Sequence, residues 1–257
     1  MNIDLVKKKA TQALKGTADF IKNRFEGKIF EERLKGFSDY QTNVDIEVEK
    51  QIHRDLSATF PDWGFLGEED IYENTKSQYV WILDPICSTN NFVFGLPLFG
   101  TALGLMKEND IILSFIYLPL FDNLLWAMKG SGAFLNDKPI CVSKRNNLKD
   151  ALVLYDNQFY KSDKMITNLI KLSDKCFTMR ITGSAAYDMF SVAIGVAEAR
   201  IFHKTKYYDF FQASLLIEES GGCITNFKGE KVTISDTEVL ASNGYVHNDI
   251  LKIINSH

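Results

Sequence analysis

The feature that most constrains this chain is an uninterrupted apolar run from Tyr79 to Leu83 that ends directly at Asp84. Aromatic and β-branched residues fill the run, which is typical of a strand buried on both faces. Because proline cannot donate a hydrogen bond to a sheet, Pro85 predicts that the strand ends at Asp84-Pro85. A carboxylate at the end of a buried strand has to be solvated, paired or bound to a cation.

The first half of the chain has the pattern of helices followed by an antiparallel sheet. Residues 2–25 and about 45–60 carry apolar positions at helical spacing. Apolar runs separated by turn residues then indicate an antiparallel meander, and they lie at 98–106, 111–118 and 124–128. We predict an N-terminal α+β lobe over residues 1–148.

The second half has a different pattern. From about residue 150 onward predicted strands and helices alternate, and the last helix of this series runs from about Asp209 to Ser220. The glycines Gly221 and Gly222 stop that helix. We predict a C-terminal α/β lobe over 149–257, which joins the first lobe in a single layered α/β (α+β) unit.

Charge and apolar content exclude several classes of partner. A net charge of −4 offers no broad positive surface to nucleic acid, and no run of about eighteen apolar residues is present to span a membrane. The four cysteines show no C-x-x-C spacing, and the first residues lack the apolar stretch of a signal peptide. We therefore expect a reduced, cytoplasmic protein that binds neither membranes nor nucleic acid.

Acidic residues interrupt apolar sequence at the ends of several predicted elements, namely at Asp45, Glu68, Asp84 and Asp209. Taken singly, Asp45 and Asp209 fit helix starts and Glu68 fits a solvated turn. Asp84 is harder to explain in this way, because it joins a buried strand to a loop of small residues that allows backbone N–H groups to approach an anion. Oxygen ligands without a histidine or thiolate cluster favour Mg2+ over zinc.

The loop that follows the buried strand resembles the signature of the inositol monophosphatase family, Asp-Pro-Ile-Asp-Gly-Thr-x-Asn-Phe. In this chain the segment reads Asp84-Pro-Ile-Cys-Ser-Thr-Asn-Asn-Phe. Further matches follow the family's order, and they are Asp45, Gly67-Glu-Glu, Gly183-Ser-Ala-Ala, Tyr208-Asp and Glu219-Ser-Gly-Gly. Because ordered matches extend from about residue 40 to 225, the resemblance is far more specific than one short motif.

The resemblance implies a fold, an activity and an assembly. The fold is a layered αβαβα sandwich of the inositol monophosphatase and fructose-1,6-bisphosphatase type. The activity is that of a Mg2+-dependent phosphoric monoester hydrolase, with Mn2+ as a substitute, acting on a small sugar, a polyol such as inositol 1-phosphate, or a related phosphate. Uncatalysed hydrolysis is so slow that charge neutralisation and positioning must supply most of the rate. The family also implies a homodimer, for which the apolar meander around 98–128 is a candidate contact.

The family's pattern assigns roles to individual positions of this sequence. The first metal would be held by Glu68, Asp84 and the carbonyl oxygen of Ile86, and the second by Asp84 and Asp209. The attacking water would be oriented and deprotonated by Glu68, Thr89 and Asp45. The substrate contacts fall on Ser88, Thr89, Ala185 and Asp209, with the backbone N–H groups of Ser88 and Thr89 on the phosphate.

Three positions depart from the family's pattern. Cys87 stands in place of the motif's second aspartate, and Ser88 replaces its glycine. A thiol with its usual pKa of about 8.5 is mostly neutral at pH 7, and sulfur is a poor ligand for Mg2+. We expect the second metal site to weaken, unless a water or a softer metal fills the gap. Phe202 replaces a glutamate that receives sugar hydroxyls in inositol-selective members, so we do not expect strict inositol selectivity.

Two functions from different classes follow from these observations. Cys87 favours a catalytically weakened member that acts through protein interaction, as in the transcription-associated extragenic-suppressor branch. The retained acids at 45, 68, 84 and 209 favour an enzyme, because converging carboxylates repel one another unless a cation is bound. We therefore prefer the metal-dependent phosphomonoesterase.

Overall fold

The computed structural model describes residues 2–256, which form two larger sheets, a separate hairpin and nine α-helices within that range. The hairpin consists of β1 (Glu32–Gly36) and β2 (Asp39–Thr42). The strands of the first large sheet are β3 (Gly64–Gly67), β4 (Tyr72–Glu73), β5 (Tyr79–Cys87), β6 (Gly100–Lys107), β7 (Asp110–Leu118), β8 (Asn123–Met128), β9 (Gly132–Leu135) and β10 (Lys138–Pro139). The strands of the second are β11 (Leu152–Leu154), β12 (Thr178–Arg180), β13 (Ala199–Phe202), β14 (Cys223–Asn226) and β15 (Val239–Ser242).

The α-helices are α1 (Ile3–Gly16), α2 (Ala18–Gly27), α3 (Asn43–Ser57), α4 (Thr89–Phe94), α5 (Asp163–Ser173), α6 (Ala185–Ala193), α7 (Tyr207–Phe210), α8 (Ser214–Glu219) and α9 (His247–Asn255). No helix among the described residues combines the length and the apolarity that a membrane span requires.

The first sheet has eight strands in the order β10-β9-β8-β7-β6-β5-β3-β4, and the second has five in the order β12-β11-β13-β15-β14. Neighbouring strands of the first sheet are antiparallel, except that β3 and β5 are parallel. In the second sheet β11 is parallel to both β12 and β13, whereas β15 is antiparallel to its neighbours. An antiparallel sheet followed by a mixed sheet is the order of elements predicted above.

Apolar packing stacks these elements into five layers. One core cluster joins α1, α2 and α3 to one face of the eight-stranded sheet. A second cluster places α6 and α8 between that sheet and the five-stranded sheet, and a third packs α5 and α9 against the outer face of the five-stranded sheet. The resulting α/β/α/β/α order confirms the predicted sandwich, since each sheet has to bury both of its apolar faces.

The predicted meander is present as β6, β7 and β8, and most of its side chains are buried inside these layers. Residues 100–105 and 113–119, for example, are all buried. The centre of the meander is therefore not a free surface, and the suggestion that it forms a dimer contact is wrong for these residues.

The structure corrects three predicted elements. Strand β5 continues through Asp84-Pro85 to Cys87, because the pairing with β6 shifts its register between Asp84 and Cys87. A proline at such an irregularity removes no regular ladder bond. The predicted helix over 209–220 is two short helices, α7 and α8, interrupted at 211–213. The helical pattern over 2–25 is likewise divided at Thr17.

Candidate active site

The structure brings the predicted site residues to one cavity between the two sheets. Its lining includes every one of them except Asp45, namely Glu68, Asp84, Ile86, Ser88, Thr89, Ala185 and Asp209. Asp45 lies directly behind the lining, where its Oδ1 accepts a hydrogen bond from the Thr89 hydroxyl at 2.7 Å.

Glu68 and Asp84 meet because two parallel strands end side by side. Gly67 of β3 is paired with Leu83 of β5, and the next residues along the two strands are Glu68 and Asp84. The Glu68 N–H donates to the Leu83 carbonyl at 3.1 Å, which continues the pairing by one residue. Since the carboxyl ends of parallel neighbours lie at the same edge of a sheet, both acids face the cavity.

The loop that carries Glu68 is held by a buried carboxylate that the sequence analysis did not single out. Glu49 of α3 accepts three backbone hydrogen bonds, at 2.9 Å from Glu69 and at 2.8 Å from both Asp70 and Ile71. A Cβ atom at Gly67 would lie 2.3 Å from a carboxylate oxygen of Glu49, so only glycine fits there. The sequence did contain a signal, because Glu49 follows Asp45 by four residues and therefore lies on the same helical face.

Asp84 is almost completely buried, with 2% of its surface exposed. Its Oδ1 atom has no hydrogen-bond partner among residues 2–256. Just beyond it, the Thr101 hydroxyl donates to the Pro85 carbonyl at 2.8 Å and fixes the irregular end of β5. A buried carboxylate oxygen without a protein partner is rare, and it is suited to binding a cation.

Thr89, Asp45 and Thr42 form a chain of hydrogen bonds behind the cavity. Asp45 Oδ2 accepts from the Thr42 N–H at 2.9 Å, while the Thr89 hydroxyl donates to Asp45 Oδ1. Asp45 is thus part of a capping box at the start of α3 as well as a partner of Thr89. The structural and the functional explanations of this aspartate both hold, because its two oxygens have different partners.

Ser88 occupies a backbone conformation that favours glycine. Its φ of 86° and ψ of 53° lie in the left-handed region, and it directly precedes the short helix α4. A residue with a Cβ atom is strained there. The glycine of the family's motif therefore has a backbone reason, and Ser88 is a departure with a cost in stability.

Asp209 lies in the first turn of α7, where its carboxylate closes the turn. Its Oδ2 accepts from the Thr205 hydroxyl at 2.7 Å and from the Lys206 N–H at 3.0 Å. Both bonds go to the same oxygen, so Oδ1 is available to a ligand. The sequence analysis placed Asp209 at the start of a helix and at the site, and the structure places it at both.

Burial and mutual repulsion raise the pKa values of the cavity acids. Burial is the largest cause for Asp84, followed by the charge of Glu68, and the pKa of Asp84 lies well above its usual value. Burial likewise raises the pKa of Glu68, with the charges of Glu69 and Asp209 adding to it. Burial raises the pKa of Asp45 to about 6. A cluster of buried acids that repel one another is typical of a site that binds a cation.

A lysine of the β1–β2 hairpin supplies positive charge to this part of the cavity. The Lys35 ammonium lies 3.0 Å from Glu68 Oε1 and 2.8 Å from Glu69 Oε1. As the side chains stand, no three His, Cys, Asp or Glu residues in the described range 2–256 are arranged around a common point suited to a metal ion. The hairpin also contacts the segment between β11 and α5, where the Tyr160 hydroxyl donates to the Phe37 carbonyl at 2.9 Å.

Cys87 lines the cavity beside the acids, and 2% of its surface is exposed. Its sulfur accepts a hydrogen bond from the Ala186 N–H at 3.2 Å. Burial raises the pKa of the thiol well above its usual value, and the charges of Asp84 and Asp209 raise it further. Both causes favour the neutral thiol over the thiolate, so this environment does not activate Cys87 as a nucleophile.

The opposite wall of the cavity belongs to the five-stranded sheet and differs in character. Phe202, at the end of β13, lines the cavity, and 1% of its surface is exposed. Asp156 and Arg200 line the same wall, and the sequence analysis missed both of them. Tyr208, which belongs to the matched Tyr208-Asp motif, also lines the cavity.

A model of the inositol monophosphatase family matches residues 2–257 of the sequence. The chain belongs to this family. Its members are Mg2+-dependent phosphoric monoester hydrolases, and so is this protein. The match extends well beyond the motifs at 40–225 that first suggested the resemblance.

Individual members of the family agree with this assignment. The chain is 33% identical to a fructose-1,6-bisphosphatase/inositol-1-monophosphatase of Aquifex aeolicus over 88% of its own length and 87% of the relative's. It superposes on the extragenic suppressor protein suhB of Bartonella henselae with a TM-score of 0.94, at 27% identity, covering 98% of this chain and 99% of that one. An IMPase/NADP phosphatase complexed with Mg2+ and phosphate gives a TM-score of 0.89 at 25% identity, with coverages of 100% and 97%.

The residues of this cavity fit the ion that the family uses. Mg2+ prefers oxygen ligands and is bound through a small number of carboxylates. The cavity offers the unpartnered Oδ1 of Asp84, a free oxygen of Asp209 and the carboxylate of Glu68. Their raised pKa values fall when a divalent cation takes up the negative charge.

Proposed function

We propose that this protein hydrolyses the phosphomonoester of a small sugar, polyol or related metabolite, with a metal-activated water as the nucleophile. The observation that carries the proposal is the convergence of Glu68, Asp84 and Asp209, which are distant in the chain, on one buried cavity. Their carboxylates disfavour ionisation there, so the free energy of this arrangement improves when Mg2+ binds.

We assign the metal ligands as the sequence predicted them. Glu68, Asp84 and the carbonyl of Ile86 would hold one ion, and Asp84 with Asp209 would contribute to a second. When bound, Mg2+ neutralises the phosphate and lowers the pKa of a coordinated water. Before an ion binds, the Lys35 ammonium has to release Glu68, because the two groups are now in contact.

Thr89 and Asp45 form the proton path in this proposal. The Thr89 hydroxyl donates to Asp45 Oδ1, so its lone pairs remain free to accept a proton from the attacking water. As Thr89 Oγ1 takes that proton, it passes its own proton to Asp45 Oδ1. A pKa of about 6 suits Asp45 for this task, because a base works best when its pKa is close to the working pH.

The phosphate itself faces the start of α4. The backbone N–H groups of Ser88 and Thr89 lie at the first positions of this helix, where they have no partner inside it. Ala185 begins α6 on the other side of the cavity, close to the alcohol of the substrate. These contacts orient the ester so that the water and the leaving oxygen are in line.

The direct test is phosphate release by the purified protein. We expect turnover of inositol 1-phosphate, glycerol 2-phosphate or fructose 1,6-bisphosphate with Mg2+ or Mn2+, and none after chelation with EDTA. The bisphosphate is included because the Aquifex relative carries both activities in its name. Absence of phosphate release from all three substrates with both metals would reject the proposal.

A second candidate is a catalytically weakened member that acts by binding another protein. Cys87 in place of a ligand aspartate and the likeness to suhB favour it. Cys87→Asp distinguishes the two, because a restored carboxylate beside Asp84 should raise Mg2+ affinity or turnover about tenfold if the site is catalytic. Cys87→Ser adds no charge and serves as the matched control. No gain in Cys87→Asp over Cys87→Ser would favour the binding role.

The assembly and cellular location remain part of this proposal. We propose a homodimeric, cytoplasmic protein in which residues 1–148 and 149–257 form two lobes. Several apolar side chains outside the meander are exposed on the second lobe, including Ile170 and Phe177 at 66% and 75%. Light scattering after size exclusion tests the dimer, and a single mass of one chain at micromolar concentration would reject it.

A further inference from the structure

The cavity wall formed by the five-stranded sheet contains a carboxylate for which the assigned chemistry has no use. The metal ligands lie on β5, beyond the end of β3 and on α7, and the proton path lies at the starts of α3 and α4. Across from them, Phe202 offers no acceptor to an alcohol hydroxyl, and the sulfur of Cys87 at the end of β5 is only a weak one. Asp156 is the acid that remains on this wall.

Asp156 and Phe202 occupy equivalent places on neighbouring strands. β11 and β13 are parallel, and Leu154 is paired with Arg200. Two residues further along each strand are Asp156 and Phe202, both beyond the carboxyl end of the paired region. The Asp156 carboxylate therefore lies beside the position that a carboxylate would occupy if residue 202 were acidic. An acceptor missing from one strand is present on the adjacent strand.

The surroundings of Asp156 hold its carboxylate in place. Oδ1 accepts from the Asn157 N–H at 2.8 Å, and Oδ2 accepts from the His203 N–H at 3.3 Å. The Arg200 guanidinium lies 3.9 Å from Oδ1. A carboxylate has about four lone-pair sites, so each oxygen retains capacity for one more donor.

Arg200 in turn is fixed by two other contacts. Its Nε lies 3.1 Å from Asp188 Oδ2, and its guanidinium packs 4.4 Å from the centre of the Phe202 ring. Only 4% of the Arg200 surface is exposed, so the side chain cannot swing away to pair elsewhere. The wall is thus a rigid unit in which one guanidinium contacts two carboxylates, and its accessible acceptor is Asp156, with 12% of that side chain exposed.

We propose that Asp156 determines specificity by accepting hydrogen bonds from hydroxyl groups of the leaving alcohol. This inference rests on the proposed phosphatase function and names its substrate class, a phosphate ester of a polyhydroxylated alcohol. Phe202 then forms an apolar floor under the carbon skeleton, while Asp156 takes over hydroxyl recognition from the neighbouring strand. Buried acceptors of this kind discriminate strongly, because a substrate without the hydroxyl leaves them unpaired.

The test compares two esters of matched size and branching. Glycerol 2-phosphate carries two hydroxyl groups beside the ester carbon, and isopropyl phosphate carries none. The measured quantity is the ratio of kcat/KM for glycerol 2-phosphate to kcat/KM for isopropyl phosphate with saturating Mg2+. We expect the unmodified protein to favour glycerol 2-phosphate, and Asp156→Ala to lower the ratio about 10- to 100-fold. Asp156→Asn, which keeps one acceptor and nearly the same shape, should lower it less.

A matched control separates recognition from structural support. Asp188→Asn also removes a carboxylate from Arg200, but Asp188 does not line the cavity, so we expect this variant to leave the ratio unchanged. Phe202→Glu added to Asp156→Ala should restore part of the ratio from the adjacent strand. Thermal melting of each variant verifies that it is folded.

The outcomes are distinct. A fall in the ratio that is specific to Asp156 supports the inference. An equal loss of both substrates in Asp156→Asn and Asp156→Ala, or an unmodified protein without any preference, overturns it while the phosphatase function stands. An unmodified protein that hydrolyses neither ester nor any other monoester, with Mg2+ or Mn2+, overturns both.

Discussion

The two walls of the cavity are each built on a pair of parallel strands, but the residues beyond those strands have different chemistry. On one wall the pairing of the parallel strands β3 and β5 ends just before Glu68 and Asp84, and on the other the parallel strands β11 and β13 lead to Asp156 and Phe202. Parallel neighbours bring residues from distant parts of the chain to one edge, whatever those residues are. In the proposed mechanism the first wall holds the metal and the second contacts the alcohol. The comparison suggests that the metal wall tolerates little change, whereas acceptors on the alcohol wall can move between strands.

The largest expected difference between the walls is in turnover. Asp84→Asn should reduce kcat/KM for all substrates about 1,000-fold, because several kcal/mol of charge stabilisation by the metal are lost. Asp156→Asn should instead change mainly the ratio between substrates. Phosphate release from glycerol 2-phosphate and isopropyl phosphate measures both effects. If kcat/KM falls equally in the two variants on both substrates, the two walls do not have the separate roles proposed here.

The metal wall should also make the metal-free protein sensitive to pH. The pKa of Asp45 rises from 3.8 in the unfolded chain to about 6 on folding, so the unfolded state releases its proton first. Its contribution is therefore present below about pH 4 and is lost as the pH rises to about 6, at a cost of up to about 3 kcal/mol.

Urea unfolding of the EDTA-treated protein at several pH values measures this loss. The comparison is with Asp45→Asn, which has no carboxyl group to titrate and should lose less free energy of unfolding between pH 4 and 7. Added Mg2+ should raise the melting temperature more at pH 7 than at pH 5, because ionised carboxylates bind it. If the free energy of unfolding depends on pH in the same way in both proteins, Asp45 does not cause the pH sensitivity.

Packing behind the metal wall predicts a smaller effect. Gly67→Ala places a Cβ atom against Glu49 and should cost about 2 kcal/mol of stability, because the loop at 68–71 has to shift. Gly36→Ala is the matched control, since no atom lies within 4 Å of a Cβ built there. Urea unfolding of both variants measures the difference. Similar stabilities would mean that the Glu49 carboxylate and the loop it holds can move to admit the Cβ atom at little cost in free energy.

The smallest predicted effect concerns the backbone between the two walls. Ser88→Gly should raise the free energy of unfolding by about 1 kcal/mol, because the left-handed conformation of Ser88 is strained. Ser131→Gly, at a turn residue without a positive φ, should give no such gain. Thermal melting distinguishes the two variants. If Ser88→Gly lowers the stability instead, the contacts of the Ser88 side chain contribute more free energy than the backbone strain costs.

Much of the fold was predictable because its elements carry apolar periodicity. The stripe Val44, Val48, Ile52 and Leu56 is fully buried in α3, and the runs of the meander became three antiparallel strands. The β1–β2 hairpin was not predicted, because every residue of β1 is exposed and the strand has no apolar face to reveal it. The end of β5 was misplaced because a register shift accommodates Pro85, and pattern reasoning does not detect such shifts.

The candidate site was partly predictable for a similar reason. Acids at the ends of apolar elements, such as Asp84 and Asp209, stand out in sequence and line the cavity in the structure. Asp156 carried the same signal, an acid directly after a predicted strand at 151–155, but no family motif drew attention to it. Lys35 carried no signal at all, because its place beside Glu68 depends on where an exposed hairpin folds.

The contact between Lys35 and Glu68 has a consequence for how the protein acquires its ion. The hairpin brings a tethered ammonium beside the acidic cavity, so part of the negative charge is compensated in the folded chain before any divalent cation arrives. In the proposed scheme loading is an exchange, in which the incoming ion displaces a resident positive charge. The apparent affinity for metal then depends on how much more strongly the acids attract the metal ion than the Lys35 ammonium. Changes in the hairpin, far from the ligands, would alter this affinity.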